Sequence, residues 1–512
     1  MITSRLSHFL RPRLLAGAVV LGLASCTVGP DYQPAQVTVP AGWGELASAA
    51  PPASTPSADP PLTTWWTAFQ DPLLDSLVER AVRANPDLHV AQARVREARA
   101  ERGAAAADLL PAVDASLSYT RSRTSENAFP AGSGTAAPGG FRPGEVTNLY
   151  QAGFDAAWEV DVFGGVRRAI EAADADLMAG IEDRRDVLVS LLAEVARNYI
   201  ELRGTQHRSA IARANLAVQQ ETLGITRTRL AAGLASDLDV ARAEAQVATT
   251  AAQIPSLEAA AHQSMHLLSL LLAQAPNALA RELEPPTPIP AAPPQVPVGL
   301  PAALLRRRPD VRRAERELAA ATARIGVATA DLFPRFSLTG SLGLQSQRFK
   351  SSGDLDSRFW SLVPGVSWPV LDFGRTKSHI AAADAREEQA LFAYQRTVLN
   401  SLREVEDALV AFTREQQRRQ TLARAADSDR RAAELANELY QQGSTDFLSV
   451  LQAQRDLYAA EDALVTSDRS VSSDLVQLYK ALGGGWEIEA PAEAGAAGGE
   501  AGSRSIDVTA RR

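Results

Sequence analysis

The chain has 512 residues, 46% of them hydrophobic, with 52 Lys+Arg against 60 Asp+Glu and a net charge of −8. The acidity argues against a nucleic-acid partner, the apolar share argues against a disordered chain, and length alone predicts roughly three domains. One cysteine excludes an internal disulfide framework and any multi-cysteine metal centre, and no apolar run reaches the ~18–20 residues of a membrane-spanning helix.

Arg5, Arg11 and Arg13 form a basic start, and Leu14 to Leu23 is an apolar stretch too short to span a membrane. Leu23-Ala24-Ser25-Cys26 follows, and it resembles a bacterial lipobox. Residues 1–25 read as a signal peptide and Cys26 as the lipidated first residue of the mature chain. The implied location is the outer membrane, lipid-anchored.

From residue 86 the chain is written twice. Pro86-Asp87, Gly103, Asp108-Leu109 and Pro111 recur 223 positions later as Pro309-Asp310, Gly326, Asp331-Leu332 and Pro334. Trp158, Phe163-Gly164, Glu194-Val195, Gly233 and Val240 recur 210 positions later as Trp368, Phe373-Gly374, Glu404-Val405, Gly443 and Val450. The change of offset lies between Pro111 and Trp158, where Ser125 to Glu145 reads as a long loop. The expected segments are 26–84 (lipidated start and equatorial region), 85–284 (first repeat), 285–307 (Pro-rich linker), 308–484 (second repeat) and 485–512 (flexible tail).

Each repeat predicts two strands. Val113, Ala115, Leu117 and Tyr119 alternate with Asp114, Ser116 and Ser118; Tyr150, Phe154, Trp158 and Val160 alternate with Gln151, Asp155 and Glu159. In the second repeat Phe336, Leu338, Leu342 and Leu344 oppose Ser337, Thr339, Ser341 and Gln345. Trp360, Leu362, Val366, Trp368 and Val370 oppose Ser361, Gly365 and Ser367, with Pro364 weakening that last strand. Such faces suit lipid-facing barrel strands. A soluble sheet packed on helices has the same alternation.

Long helices follow each strand pair. Gly165 to Gly233 contains no proline. Leu188, Leu192, Val195, Tyr199 and Leu202 form one apolar stripe, repeated as Val398, Leu402, Val405, Leu409 and Phe412. After the glycine turns, Val240, Val247, Ile254, Ala261 and Leu268 recur every seven residues, as do Val450, Leu457, Leu464, Val471 and Leu478. These stripes predict two αα-hairpins with coiled-coil packing, capped at Gly233 and Gly443 and kinked at Pro255. Glu258, His262 and His266 share one helical face and read as a polar coiled-coil surface rather than a metal site. No phosphate loop or nucleophile elbow is present, so neither catalytic residues nor metal ligands are assigned.

Four lipid-facing strands cannot close a barrel alone, and open edges in hydrocarbon cost several kcal/mol per group. Two copies supply eight strands and three supply twelve; the strand count leaves both open. Here the chain resembles the outer membrane factor family of TolC and OprM, in its lipoprotein branch serving RND-type efflux pumps. The residues that carry this are Cys26 to Tyr32 (CTVGPDY), Trp65-Trp66, Phe69, Asp71-Pro72, Asn85-Pro86-Asp87 and Leu304 to Asp310 (LLRRRPD), with Ala314-Glu315, Gly326, Leu332 to Pro334 and Asp372-Phe373-Gly374.

The resemblance implies an α+β membrane protein, a TolC-like homotrimer. Four β-strands per chain form a 12-stranded β-barrel, continued by a long α-helical barrel in the periplasm. It also implies a passive exit duct working with a periplasmic adaptor (membrane fusion) protein and an inner-membrane RND pump. The chain is then not an enzyme, and the covalent lipid at Cys26 is its only attached group. The hairpin tips, with Gly233, Leu234, Ser236, Gly443, Ser444 and Asp446, are expected to dock the adaptor. A gate is expected at Asp446, Leu448, Ser449 and Gln452, although Gln452 stands where many relatives carry a closing aspartate. Asp237 and Asp239 add acid nearby, as helix-capping or first-turn charges. Presented three times around one axis, close Asp446 carboxylates should take up protons or bind cations. A type I protein-secretion conduit and a poreless scaffold lipoprotein are the competing readings.

Overall fold

The structure, a computed structural model, describes residues 27–44, 54–56, 62–123, 125, 145–293, 296–298 and 301–488. Cys26, most of the long loop after Ser125 and the tail from 489 onward lie outside these residues. In chain order the elements are β1 (Ser54–Pro56), α1 (Pro72–Ala84), α2 (Pro86–Ala107), β2 (Ala112–Arg123), β3 (Val146–Val160), α3 (Gly165–Ala231), α4 (Asp237–Leu271), β4 (Val296–Val298), α5 (Pro301–Arg307), α6 (Pro309–Ala330), β5 (Arg335–Ser346), β6 (Arg358–Ser367), α7 (Arg375–Gln441) and α8 (Phe447–Ala481). They divide between two compact units rather than the three domains that length suggests.

The first unit joins residues up to Gln36 with 93–181 and 313–396. Its four strands form one antiparallel sheet in the order β2-β3-β5-β6. The register stacks apolar residues across all four strands: Leu117 faces Ala152, Phe154 faces Leu342, and Leu342 faces Trp360. The other face is polar. There the Ser116 hydroxyl donates to Asp155 at 2.9 Å, and Ser341 and Ser361 share a 2.7 Å hydrogen bond. The apolar face is bare, with Leu117 87% and Trp360 79% exposed. A soluble sheet packed on helices would bury it. Pro364 lies in β6, which is an edge strand of the sheet within one chain.

β6 stops at Ser367, short of the expected Val370. The chain must turn there to enter α7. Trp368 donates its indole N–H to the Leu332 carbonyl at 3.0 Å, as Trp158 does to Leu109 at 2.9 Å. Asp372 then binds the amides of Gly374 and Thr376 and the Thr376 hydroxyl, which together hold its carboxyl down to about 2.

The same unit holds the first described residues. Thr27 packs on Gly164, and Gly29, at φ +90°, lies directly against Gly326. The buried Arg168 guanidinium donates to the carbonyls of Val28 and Gly29 and to Asp31, at 3.1, 3.2 and 2.7 Å. Tyr32 donates to Glu315 at 3.2 Å, and burial followed by the Glu315 charge pushes its hydroxyl pKa upward. Residues 27–32 are thus a strap seated between two glycines.

The second unit comprises 37–92, 182–312 and 397 onward. The predicted stripes pack here: Leu188, Leu192, Val195 and Tyr199 meet Val405, Leu409, Phe412, Leu475 and Leu478 in one core. Trp65 joins it, stacked on Tyr479 with ring centroids 5.3 Å apart. Asp71 caps α1 by accepting from the amides of Leu73 and Leu74, and it also accepts the Tyr199 hydroxyl at 2.7 Å. Asn85 caps α2 and donates to the Leu271 carbonyl at 3.0 Å. Arg308, 8% exposed, is held by Asp310, Glu404 and the Ala481 carbonyl. These contacts give the Asp-Pro, Asn-Pro-Asp and Arg-Pro-Asp motifs their structural reason. A short parallel pairing, unforeseen from the pattern, joins β1 of the 26–84 segment to β4 in the 285–307 linker. Trp486 sits beneath the guanidinium groups of Arg185 and Arg312, 4.6 and 5.6 Å from its ring centre, which holds the segment just after α8. Helix α4 runs unbroken through Pro255. Glu258 is taken up by Arg213 at 2.6 Å rather than offered with the nearby histidines.

Asp474 on α8 is pushed up to about 6, first by burial and then by the charge of Glu415. The native state therefore keeps a proton that the unfolded chain releases, and stability falls as pH rises from about 4 to about 6. Asp474→Asn should raise the thermal midpoint at pH 7.5 and leave it nearly unchanged at pH 4. Equal shifts at both pH values would contradict this.

Candidate functional site

The two hairpin ends are built alike. Gly233 and Gly443 take φ +74° and +76°. The Gly233 amide bonds the Leu230 carbonyl and the Leu234 amide the Arg229 carbonyl, at 2.9 and 2.8 Å. Gly443 and Ser444 repeat this on Tyr440 and Leu439, at 3.0 and 2.8 Å. This is the Schellman closure, and positive φ is why glycine stands there. Space is not the reason, since a side chain at Gly233 would meet nothing within 4 Å.

The return helices start on different caps. Ser236 caps α4 and forms a reciprocal capping box with Asp239, so Asp237 is a first-turn charge and not the cap. Asp446 caps α8, accepting the Ser449 amide at 3.0 Å and the Ser449 hydroxyl at 2.6 Å. The hydroxyl first, and then the amide, holds the Asp446 carboxyl below the usual range. Within one chain this opposes the proton uptake expected of crowded carboxylates.

The gate candidates share one face. Asp446, Leu448, Ser449 and Gln452 line an open depression of about 460 Å³ with Asp429, Ala432, Ala453 and Asp456. Gln452 donates to Asp456 at 2.9 Å. Leu448 stays 49% exposed, an apolar side chain amid satisfied polar groups. Of the docking candidates, Leu234 is strongly exposed, while Ser236 is used internally as a cap.

The hairpin ends are also tied to each other through residues that sequence reasoning passed over. Arg229 donates to the Tyr440 carbonyl at 2.7 Å and lies 4.5 Å from the centre of that ring. Gln454 donates to Thr222 and Arg455 to Gln246, at 2.9 and 2.6 Å. Leu223, Ala243, Tyr440, Phe447, Val450 and Leu451 form a separate small core beneath them. In the sequence Arg229 looks like any surface arginine of a long helix. Its spacing of 211 from Tyr440, close to the repeat offset, was the available signal.

Comparison with known proteins decides the family. A family model described as outer membrane efflux protein matches residues 77–274 and 300–484. The chain belongs to the outer membrane efflux protein family. It is 33% identical over 476 residues to the pyoverdine export outer membrane protein OpmQ of Pseudomonas aeruginosa, covering 93% of this chain and 97% of that one. It is 31% identical over 476 residues to the solvent efflux pump outer membrane protein SrpC of Pseudomonas putida, covering 92% and 97%. The solved structure of the outer-membrane channel OprN superposes with a TM-score of 0.82 at 39% identity, covering 90% of this chain and all of that chain. The efflux protein has the TolC-like fold and is an outer-membrane protein of a channel family.

Proposed function

We propose that three copies of this efflux protein close a 12-stranded barrel. In this reading the trimer is the exit duct of a tripartite pump, receiving small molecules from a periplasmic adaptor and an inner-membrane RND pump. The observation that carries this is the four-stranded sheet, bare on its apolar face and open at both edges. Open edges in lipid require more strands, and these can come from copies of the same chain. Relatives named for pyoverdine export and for solvent and toluene efflux support small molecules as cargo. Selectivity would lie with the pump. The adaptor would meet Gly233, Leu234, Ser236, Gly443, Ser444 and Asp446, and the closure would sit at Asp446, Leu448, Ser449 and Gln452.

The functional test is complementation. In cells lacking their own outer-membrane duct, this chain with a matched adaptor and pump should restore dye extrusion. Restored secretion of a type I protein substrate without extrusion would favour the secretion conduit. The lipid anchor has its own test. Mass spectrometry of the mature protein should find an acylated Cys26, lost in Cys26→Ser with only partial loss of outer-membrane protein. An unmodified N-terminus would refute the anchor.

A further inference from the structure

The charged residues of the sheet sort by face. On β2 the apolar face holds Val113, Ala115, Leu117 and Tyr119, and the alternation continues through Arg121 and Arg123. On β6 it holds Trp360, Leu362 and Val366, and the same alternation places Arg358 there too. Asp114, Asp155, Glu159 and Arg335 all fall on the opposite, polar face. Among the described residues, the strands of the bare apolar face therefore carry arginines and no acid.

All of these arginines stand at one end. Helices α2, α3, α6 and α7 join the sheet at its other end, while this end carries the β2–β3 and β5–β6 loops. Just before the arginines, Tyr119 stacks on Tyr150 with ring centroids 4.8 Å apart, and Tyr150 meets the edge of Phe349 at 5.6 Å. Such an aromatic row marks the level where hydrocarbon gives way to headgroups. From Trp158 to Tyr150, β3 rises roughly 27 Å along its own axis, or about 20 Å across a membrane at the usual strand tilt. That nearly fills an apolar band about 25 Å tall. Arg121, which faces Asn148 beyond the two tyrosines, is thereby set at headgroup level.

Arg121 and Arg358 are exposed, and neither has a carboxylate partner among the described residues. The Arg358 Nε donates to the Leu355 carbonyl at 2.7 Å, which steadies the planar group. The β5–β6 loop contributes no net charge, since Arg348 and Lys350 offset Asp354 and Asp356. A guanidinium pairs with phosphate oxygens two at a time. Acyl chains match the exposed Leu117, Trp360 and Leu362 of the same face. One molecule supplies both: acyl chains joined to a phosphorylated sugar headgroup. We propose that Arg121, Arg123 and Arg358 bind the phosphorylated glycolipid of the outer leaflet. The edge strands β2 and β6 lie three strand spacings apart, about 14 Å, so Arg358 and the Arg121–Arg123 pair meet separate phosphates. The outward direction of the loop end rests on the duct reading above, in which the helices extend into the periplasm.

The test is lipid binding by the purified full-length protein, followed by native mass spectrometry. The probes are lipid A carrying both phosphates and the same lipid stripped of phosphate. The parent protein should bind the phosphorylated form at least ten-fold more tightly. Arg121→Gln, Arg123→Gln and Arg358→Gln together should abolish that preference, and lysine at the three positions should restore part of it. Arg335→Gln, on the polar face, should leave it intact. A second measurement needs no variant. The phosphorylated lipid should protect Arg121 and Arg358 of the parent protein from phenylglyoxal, and the stripped lipid should not. Equal affinity of the parent for both lipids, an undiminished preference in the glutamine variant, or equal modification under both lipids would overturn the site. Inorganic phosphate equimolar with the lipid should not displace it; displacement would assign the arginines to free phosphate and overturn the lipid reading.

Orientation has its own readout. Gly353→Cys lies in the β5–β6 loop, where a side chain meets nothing within 4 Å. An impermeant maleimide should label it on intact cells, against the parent chain with its one Cys26 as background. Labelling together with equal binding of the two lipids would overturn the glycolipid site and leave the duct. Labelling only after lysis would overturn the outward direction, and the duct with it.

Discussion

Replacing Asp446 and Leu448 together by alanine should raise single-channel conductance several-fold and sensitise cells to antibiotics that the outer membrane normally excludes. Leu448 is the apolar member of the depression at the second hairpin end, and its exposed side chain is free to pack against copies of itself around a three-fold axis. Asp446 has two roles that the variants can separate. It fixes the start of α8 through Ser449, and it contributes a charge that the cap holds ionised. Asp446→Asn retains a capping side chain and removes the charge. It should therefore change conductance and ion preference less than the alanine variant. Because the Asp446 carboxyl lies below its ordinary range, acidification to pH 5 should not mimic Asp446→Asn. Unchanged conductance and unchanged drug sensitivity in the double variant would move the closure to Ser449 and Gln452.

The second large effect is expected far from the gate. Gly29→Val should prevent the strap from seating and reduce the yield of folded protein in the outer membrane by an order of magnitude. The ideal Cβ at Gly29 falls 2.4 Å from the Gly326 Cα, and backbone cannot swing aside as a side-chain tip can. The φ of +90° adds strain for a β-branched residue, on the order of 1–3 kcal/mol. Gly326 is itself crowded, since a Cβ there would fall 2.7 Å from the Arg168 Cγ. Asp31→Ala removes an exposed partner of Arg168 and should cost far less, since Glu171 also binds that guanidinium at 2.7 Å. Limited proteolysis within residues 27–36 checks the mechanism. The strap should become cleavable in Gly29→Val and stay protected in Asp31→Ala; protection in both would refute it.

The strands were legible because side chains alternate at period two on a sheet with one apolar face, and the helical stripes because one face packs in a core. The repeat offsets were legible before either, and they survive to the level of individual hydrogen bonds at Trp158 and Trp368. Trp368 and Val370 were misplaced because apolar alternation continues past Ser367, while the turn into Asp372 ends the pairing. At the hairpin ends, glycine turns were readable but partners were not. That Asp446 binds Ser449 follows from local spacing. That Arg229 meets Tyr440 depends on how two hairpins pack, which no local pattern encodes. The strap of residues 27–32 was visible only as a family motif, since its one glycine, Gly29, matters through contacts more than a hundred residues away.

The central claim is that copies of this chain share one pore. Its most direct measurement is native mass spectrometry of the purified protein, in a barrel-preserving detergent, paired with conductance of the same fraction in planar bilayers. A three-chain mass with discrete conductance steps, increased by the Asp446 and Leu448 double variant, is the predicted result. A monodisperse single chain that inserts without conducting would contradict it.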